Sequence, residues 1–313
     1  MPIFINILLF LFGITVLYYG AEYLVRGGAN LARIFGIQPI VIGLTVVAFG
    51  TSMPEFLVGL QAALKNQHAI TIGNVVGSNI ANIGLILGLS AVVSPIIISF
   101  RQLRGELFFL TIASLFFVTL ISGHIQRWEG LIFLGILFGY TYYLIKHPSE
   151  HPVSQELPAK ESSIWKNVSY LLFGFVGLNF GSDWLVDSAV FFARLLNISE
   201  IIIGMTIVAI GTSLPELAAS VVAAARKESD ISIGNIIGSN IFNMFFVIGG
   251  TSLIRPIPVD RQIYHLELPV MLAFTIILIP IIYFNKGISR RWGGILLLGY
   301  LLFNFFLIGF RQI

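Results

Sequence analysis

Two segments of this chain, 161 residues apart, are nearly identical, and the duplication limits what the chain can fold into more than any other feature. Residues 42–56 read IGLTVVAFGTSMPEF and residues 203–217 read IGMTIVAIGTSLPEL, identical at ten of fifteen positions. The likeness resumes at IGNVVGSNIANIG from Ile72 and IGNIIGSNIFNMF from Ile233. Glu55 and Glu216, Ser78 and Ser239, and Asn82 and Asn243 are each 161 apart. Equal spacing over such a stretch implies two copies of one structural unit. Each copy sets a glutamate directly after a proline in an otherwise apolar helix. A carboxylate inside a membrane is costly unless it meets a cation, so a pair of them implies an ion-binding site.

Hydrophobic residues make up 57% of the chain and charged ones 11%, against about 25% charged in a soluble domain, which places most of the chain in lipid. The net charge of +3 forms no basic stripe of the kind nucleic-acid binding needs. The chain has no cysteine, which excludes disulfides and thiolate metal sites. The first apolar stretch has no basic n-region or small-residue cleavage site, and reads as a retained span.

Apolar runs long enough to cross a core ~30 Å thick, at about 20 residues each, fall near 3–25, 38–64, 71–98, 105–123, 129–146, 166–193, 199–225, 232–254, 264–284 and 292–310. The expectation is an all-α membrane protein of ten transmembrane helices, five in residues 1–147 and five in 164–313. The polar stretch 148–163, with its prolines and mixed charges, reads as a linker. An odd number of spans per copy makes the second enter from the opposite face, so the two five-helix repeats are inverted. Twelve of the 18 Lys and Arg residues fall on the linker's side. By the positive-inside rule that side is cytoplasmic and both termini lie outside, in a plasma or inner membrane.

In Ala48–Glu55, Pro54 removes a backbone donor and pushes on the carbonyl of Gly50. Carbonyls freed there can face a cation, provided the turn is buried in protein or lines a cavity. Thr51 and Ser52 add hydroxyl oxygens and Glu55 adds charge; Ala209, Thr212, Ser213 and Glu216 repeat the set. Calcium takes six to eight oxygens at about 2.3–2.6 Å, and two facing copies supply such a shell. Ser78 and Asn82 share one helix face, as do Ser239 and Asn243. For these four, interhelical hydrogen bonding is an equal alternative to ion binding. Gly73, Gly77, Gly234 and Gly238 form small-xxx-small pairs that suit close helix packing.

Other polar residues carry less. Glu22 with Asp183, and Glu106 with Glu267, are repeat-related but sit near the expected span ends, where reaching water is cheap. The five histidines fall in loops or at span ends, so no imidazole metal site or proton relay is expected. Trp128, Trp165 and Trp292 fit an aromatic belt.

GTSMPE and GTSLPE, each followed by GNxxGSNIxN, resemble the calcium/cation antiporter superfamily, and within it the sodium/calcium exchanger branch. The resemblance covers the full chain. It implies adjacent central sites for calcium and sodium that share the two glutamates. By motif position, Glu55, Glu216 and the carbonyls of Thr51 and Thr212 would hold calcium. The carbonyls of Ala48 and Ala209, with Ser52, Ser213, Ser78 and Ser239, would complete the sodium sites, and Asn82 and Asn243 would face the centre. Relatives that need potassium often carry aspartate at one of these asparagine positions. Both are amides here, which argues against potassium co-transport.

The expected activity is therefore secondary antiport of sodium for calcium across the bilayer by alternating access. It involves no cofactor, no nucleic acid and no enzymatic chemistry. A calcium/proton antiporter of the same fold is the alternative, because a buried glutamate can also take up a proton.

Overall fold

The computed structural model describes residues 3–121, 123–146, 163–196, 198 and 209–310. The linker up to residue 162 and the stretch 199–208, which opens the seventh expected span and holds Ile203–Val208 of the second motif, lie outside the described residues.

The first helix, α1 (Ile3–Phe35), runs well past the expected end at residue 25. It contains no proline, and its Gly27–Gly28 pair stays helical; Gly36, whose φ of +64° closes the helix, follows, with Ile37 N–H bonded to the Ala32 carbonyl at 2.9 Å. That six-to-one bond is a common glycine-dependent helix stop. Next come α2 (Pro39–Thr51) and α3 (Met53–Leu64), bent by 42° at Ser52. Then follow α4 (His68–Val93), α5 (Phe100–Leu120) and α6 (Arg127–Lys146). The second half contributes α7 (Ile164–Leu195), a single turn at Ala209–Gly211, α8 (Leu214–Ala225), α9 (Ser229–Ile254), α10 (Glu267–Asn285) and α11 (Arg290–Phe310). By length and composition, six described helices can cross a membrane, or seven if the bent α2–α3 pair is one span.

Two short antiparallel ladders tie the halves together. Ile96 pairs with Ile288 and Ile97 with Gly287, while His124 pairs with Pro258 and Ile125 with Ile257. Each ladder joins a loop of one half to a loop of the other. Gly287 has φ +133°, and a Cβ there would lie 2.2 Å from the Ile96 carbonyl, so this ladder requires glycine.

The interior divides into two clusters. The larger surrounds α4 and α9, whose apolar windows are 78% and 94% buried, and includes Ile80, Ile83, Met244 and Phe245. The smaller lies between α1, α7 and α8, around Leu24, Leu171, Leu178 and Ala223. Within it α1 and α7 run antiparallel along a seam of glycines. A Cβ on Gly20 would lie 2.7 Å from the Leu178 nitrogen, and one on Gly174 would lie 2.7 Å from the Leu24 nitrogen. Gly13 and Gly181 meet in the same way further along. Such contact is how membrane helices gain van der Waals energy when lipid offers no hydrophobic drive.

Candidate ion-binding site

Ser52 has φ −84° and ψ 3°, so it ends α2 and caps α3. Pro54 follows in the first turn of α3, where its missing N–H costs nothing. Glu55 completes that turn, at the positive end of the helix dipole. Ser213, Pro215 and Glu216 repeat the arrangement at the start of α8. Both glutamates are 0% exposed.

The copies bond each other reciprocally. Ser52 Oγ donates to Glu216 Oε1 at 3.1 Å, and Ser213 Oγ donates to Glu55 Oε1 at 3.1 Å. Ser213 also lies 3.3 Å from Ser78 Oγ, and Thr51 Oγ1 lies 3.4 Å from Ser239 Oγ. Glu55, Glu216, Ser52, Ser213, Ser78, Ser239 and Thr51 thus form one buried cluster drawn from α2, α3, α4, α8, α9 and the turn before α8.

Asn82 and Asn243 each open a π-helical turn, Asn82–Leu87 and Asn243–Val247, a local widening common at functional positions. Asn82 Nδ2 donates to Asn240 Oδ1 at 3.3 Å, and Asn243 Nδ2 donates to Asn79 Oδ1 at 3.1 Å. With its NH₂ group held across the interface, each of these two residues turns its carbonyl oxygen free. Asn82 Oδ1, Asn243 Oδ1, Thr212 Oγ1, Glu55 Oε2 and Glu216 Oε2 are all buried without a hydrogen-bond partner. Buried polar atoms are rarely left so. Bare oxygens of this kind, two of them on carboxylates, are the donor type that a hard cation takes. No Lys or Arg forms an ion pair with either glutamate among the described residues, and two buried carboxylates repel unless a cation lies between them.

The backbone parts of the expected site are less uniform. The Ala48 carbonyl accepts from Ser52 N–H at 3.0 Å, whereas Ser213 N–H turns to the Ile210 carbonyl at 3.0 Å and not to Ala209. The turn is wound more tightly in the second copy. Gly234 and Gly238 pack closely, with added Cβ atoms 2.6 Å from the carbonyls of Ile40 and Leu44. Gly73 and Gly77 meet no described atom within 4 Å.

Two expectations need correction. Glu106 lies in the second turn of α5, as expected, but does not reach out to water: it is 8% exposed, on a face shared with Leu103, Leu107 and Leu110. Glu22 is not near a helix end, because α1 continues to Phe35; its carboxylate pairs with Arg226 at 2.8 Å.

Sequence reasoning passed over Asn74, Asn79, Asn235 and Asn240. Asn74 Nδ2 donates to the Glu55 carbonyl at 3.2 Å, and Asn235 Nδ2 donates to Ser220 Oγ at 2.9 Å. They orient the helices that carry the glutamates. Their identity in both copies of GNxxGSN was the available signal.

Fold and site together describe a helical membrane protein with two buried carboxylates bonded across its two motif copies. Residues 5–146 and 166–309 match the model of the sodium/calcium exchanger protein family, and the chain belongs to that family. It is 36% identical to the putative antiporter CaxA of Alkalimonas amylolytica, over 95% of this chain and 97% of that one. It is 31% identical to the sodium/calcium exchanger MaX1 of Methanosarcina acetivorans, over 94% and 95%. Among solved structures it resembles the sodium-calcium exchanger NCX_Mj at 32% identity, with a TM-score of 0.85 over 96% of this chain and 98% of that one. The family is one of transporters, not enzymes.

Proposed function

We propose that this protein exchanges sodium for calcium by alternating access, electrogenically and without potassium. The reciprocal bonds between Ser52 and Glu216 and between Ser213 and Glu55 carry the reading. They make the two carboxylates one site shared by both copies, and leave the outer oxygen of each bare. In this reading Glu55, Glu216 and the carbonyls of Thr51 and Thr212 hold calcium. The carbonyls of Ala48 and Ala209 and the hydroxyls of Ser52, Ser213, Ser78 and Ser239 serve sodium, while Asn82 and Asn243 line the centre. Since calcium and sodium share the glutamates, they bind in alternation.

The architecture proposed with it is ten spans in two inverted five-helix repeats, 1–147 and 164–313, with a cytoplasmic linker at 148–163 and both termini outside. It is supported by hydrogen bonds that recur at the 161-residue offset: Thr71 to the Gly59 carbonyl and Ser232 to the Ser220 carbonyl, both at 2.9 Å. The α1–α7 pair, joined by its glycine seam and carrying its own apolar cluster, moves against the α4–α9 centre. Calcium uptake into sodium-loaded liposomes tests the function. Uptake that follows the outward sodium gradient supports it; uptake driven by a proton gradient alone would replace sodium with protons as the counter-ion.

A further inference from the structure

A groove of about 570 Å³ runs along the outer face of the α1–α7 pair. Gly20 and Gly177, at the close contact of the two helices, line its floor, and its walls include Phe12, Tyr19, Tyr23, Tyr170 and Phe173. Thr15 also lines it, with its hydroxyl bonded back to the Leu11 carbonyl at 2.8 Å, so the wall there is apolar. At one end two cations converge on one ring: Arg26 Cζ is 5.7 Å and Lys166 Nζ 5.8 Å from the centre of Tyr170. Nearby cations are matched, Arg226 by Glu22 and Arg33 by Glu228. Arg26 and Lys166 form no ion pair among the described residues.

We infer that this groove binds an anionic phospholipid, with its phosphate at Arg26 and Lys166 and one acyl chain along the glycine floor towards Phe12. From Arg26 to Phe12 the groove extends about 21 Å at ~1.5 Å per residue. One leaflet is about half of a ~30 Å core, so an acyl chain fits along it. Exposed aromatic walls suit lipid, and basic residues without a carboxylate partner, Arg26 within α1 and Lys166 at the start of α7, attract anionic headgroups. A zwitterionic lipid would bring a second cation to Arg26 and Lys166, and gains less.

Native mass spectrometry of the delipidated full chain in detergent tests this, with phosphatidylglycerol and phosphatidylcholine of matched chains as probes. The first phosphatidylglycerol should bind about tenfold or more tighter than phosphatidylcholine, through the two unpaired cations. In Arg26→Gln/Lys166→Gln that preference should vanish. Thr15→Trp, which fills the groove without changing charge, should weaken phosphatidylglycerol too, and Arg101→Gln/Arg104→Gln should not. Equal affinity for the two lipids in the unaltered protein would overturn the site, as would equal losses in the Arg101/Arg104 control. Displacement by glycerol 3-phosphate at the lipid's own concentration would show a soluble phosphate site instead, and would also overturn it.

Discussion

Ser52 donates a 3.1 Å hydrogen bond to Glu216 Oε1, joining the helix break of one motif copy to the carboxylate of the other. Ser213 makes the same bond to Glu55. Each carboxylate is therefore held by the opposite copy, and neither copy contains a complete site. The first consequence concerns charge. Removing one partner from a buried ionic set costs about 3–5 kcal/mol, which is a factor of about 100 or more in affinity. Glu55→Gln and Glu216→Gln should each reduce sodium-driven calcium flux in proteoliposomes by at least that factor, while insertion and purification stay normal. Normal flux in either variant would remove the residue from the site.

Ser52→Ala deletes a hydrogen bond to a charged group, worth about 1.5–3 kcal/mol. Sodium activation should shift to concentrations about tenfold or more higher. Placed in the Glu216→Gln background, the same change should weaken sodium binding much less, because the two residues act as one contact. Full additivity in this cycle, measured as direct sodium binding to the purified variants by calorimetry, would show that the bond is incidental.

The glycine seam sets stability. Gly20→Ala would push a Cβ to 2.7 Å from the Leu178 backbone, and overpacking of this kind costs about 1–3 kcal/mol. The unfolding temperature in detergent should fall. At Gly139 nothing described lies within 4 Å, so Gly139→Ala should be neutral, or stabilising by up to about 1 kcal/mol from helix propensity. Equal effects of the two changes would mean that the helices do not depend on close approach.

If α1 and α7 travel together, cysteines at Tyr23 and Tyr170, whose rings are 5.2 Å apart, should crosslink equally in sodium, in calcium and without ions. Cysteines at Glu22 and Arg226 join α1 to α8, in place of a 2.8 Å ion pair. Their crosslinking by a short bis-maleimide should change with the bound ion. The reverse pattern would assign the moving boundary to the seam itself.

Two carboxylates contribute about −2 when ionised, so calcium brings the site to about zero, and electrogenic exchange means about three sodium ions, which bring it to about +1. An inside-negative potential should accelerate calcium export, each net charge gaining about 2.3 kcal/mol per 100 mV. With Asn at both 82 and 243, no third carboxylate at those positions calls for potassium. Flux that ignores a valinomycin-set potential would indicate two monovalent ions per calcium. Flux that needs potassium at clamped voltage would contradict the role given to these amides.

The sequence by itself determined the membrane environment, the apolar segments and the two glutamates. All of these depend on local composition or on the 161-residue offset, which the chain displays directly. It also marked the proline turn that ends in Glu55, since Pro54 acts on its immediate neighbours. Only the tertiary structure decided which copy holds which carboxylate, because Ser52 and Glu216 are distant in the chain and meet through packing. The free Asn82 and Asn243 oxygens belong to that level too: which end of an amide is bare depends on who binds the other end, here Asn240 and Asn79. The burial of Glu106 and the pairing of Glu22 with Arg226 were likewise decided by neighbours. A linear reading of span ends treats position along a helix as depth, whereas burial and ion pairing depend on which face meets another helix.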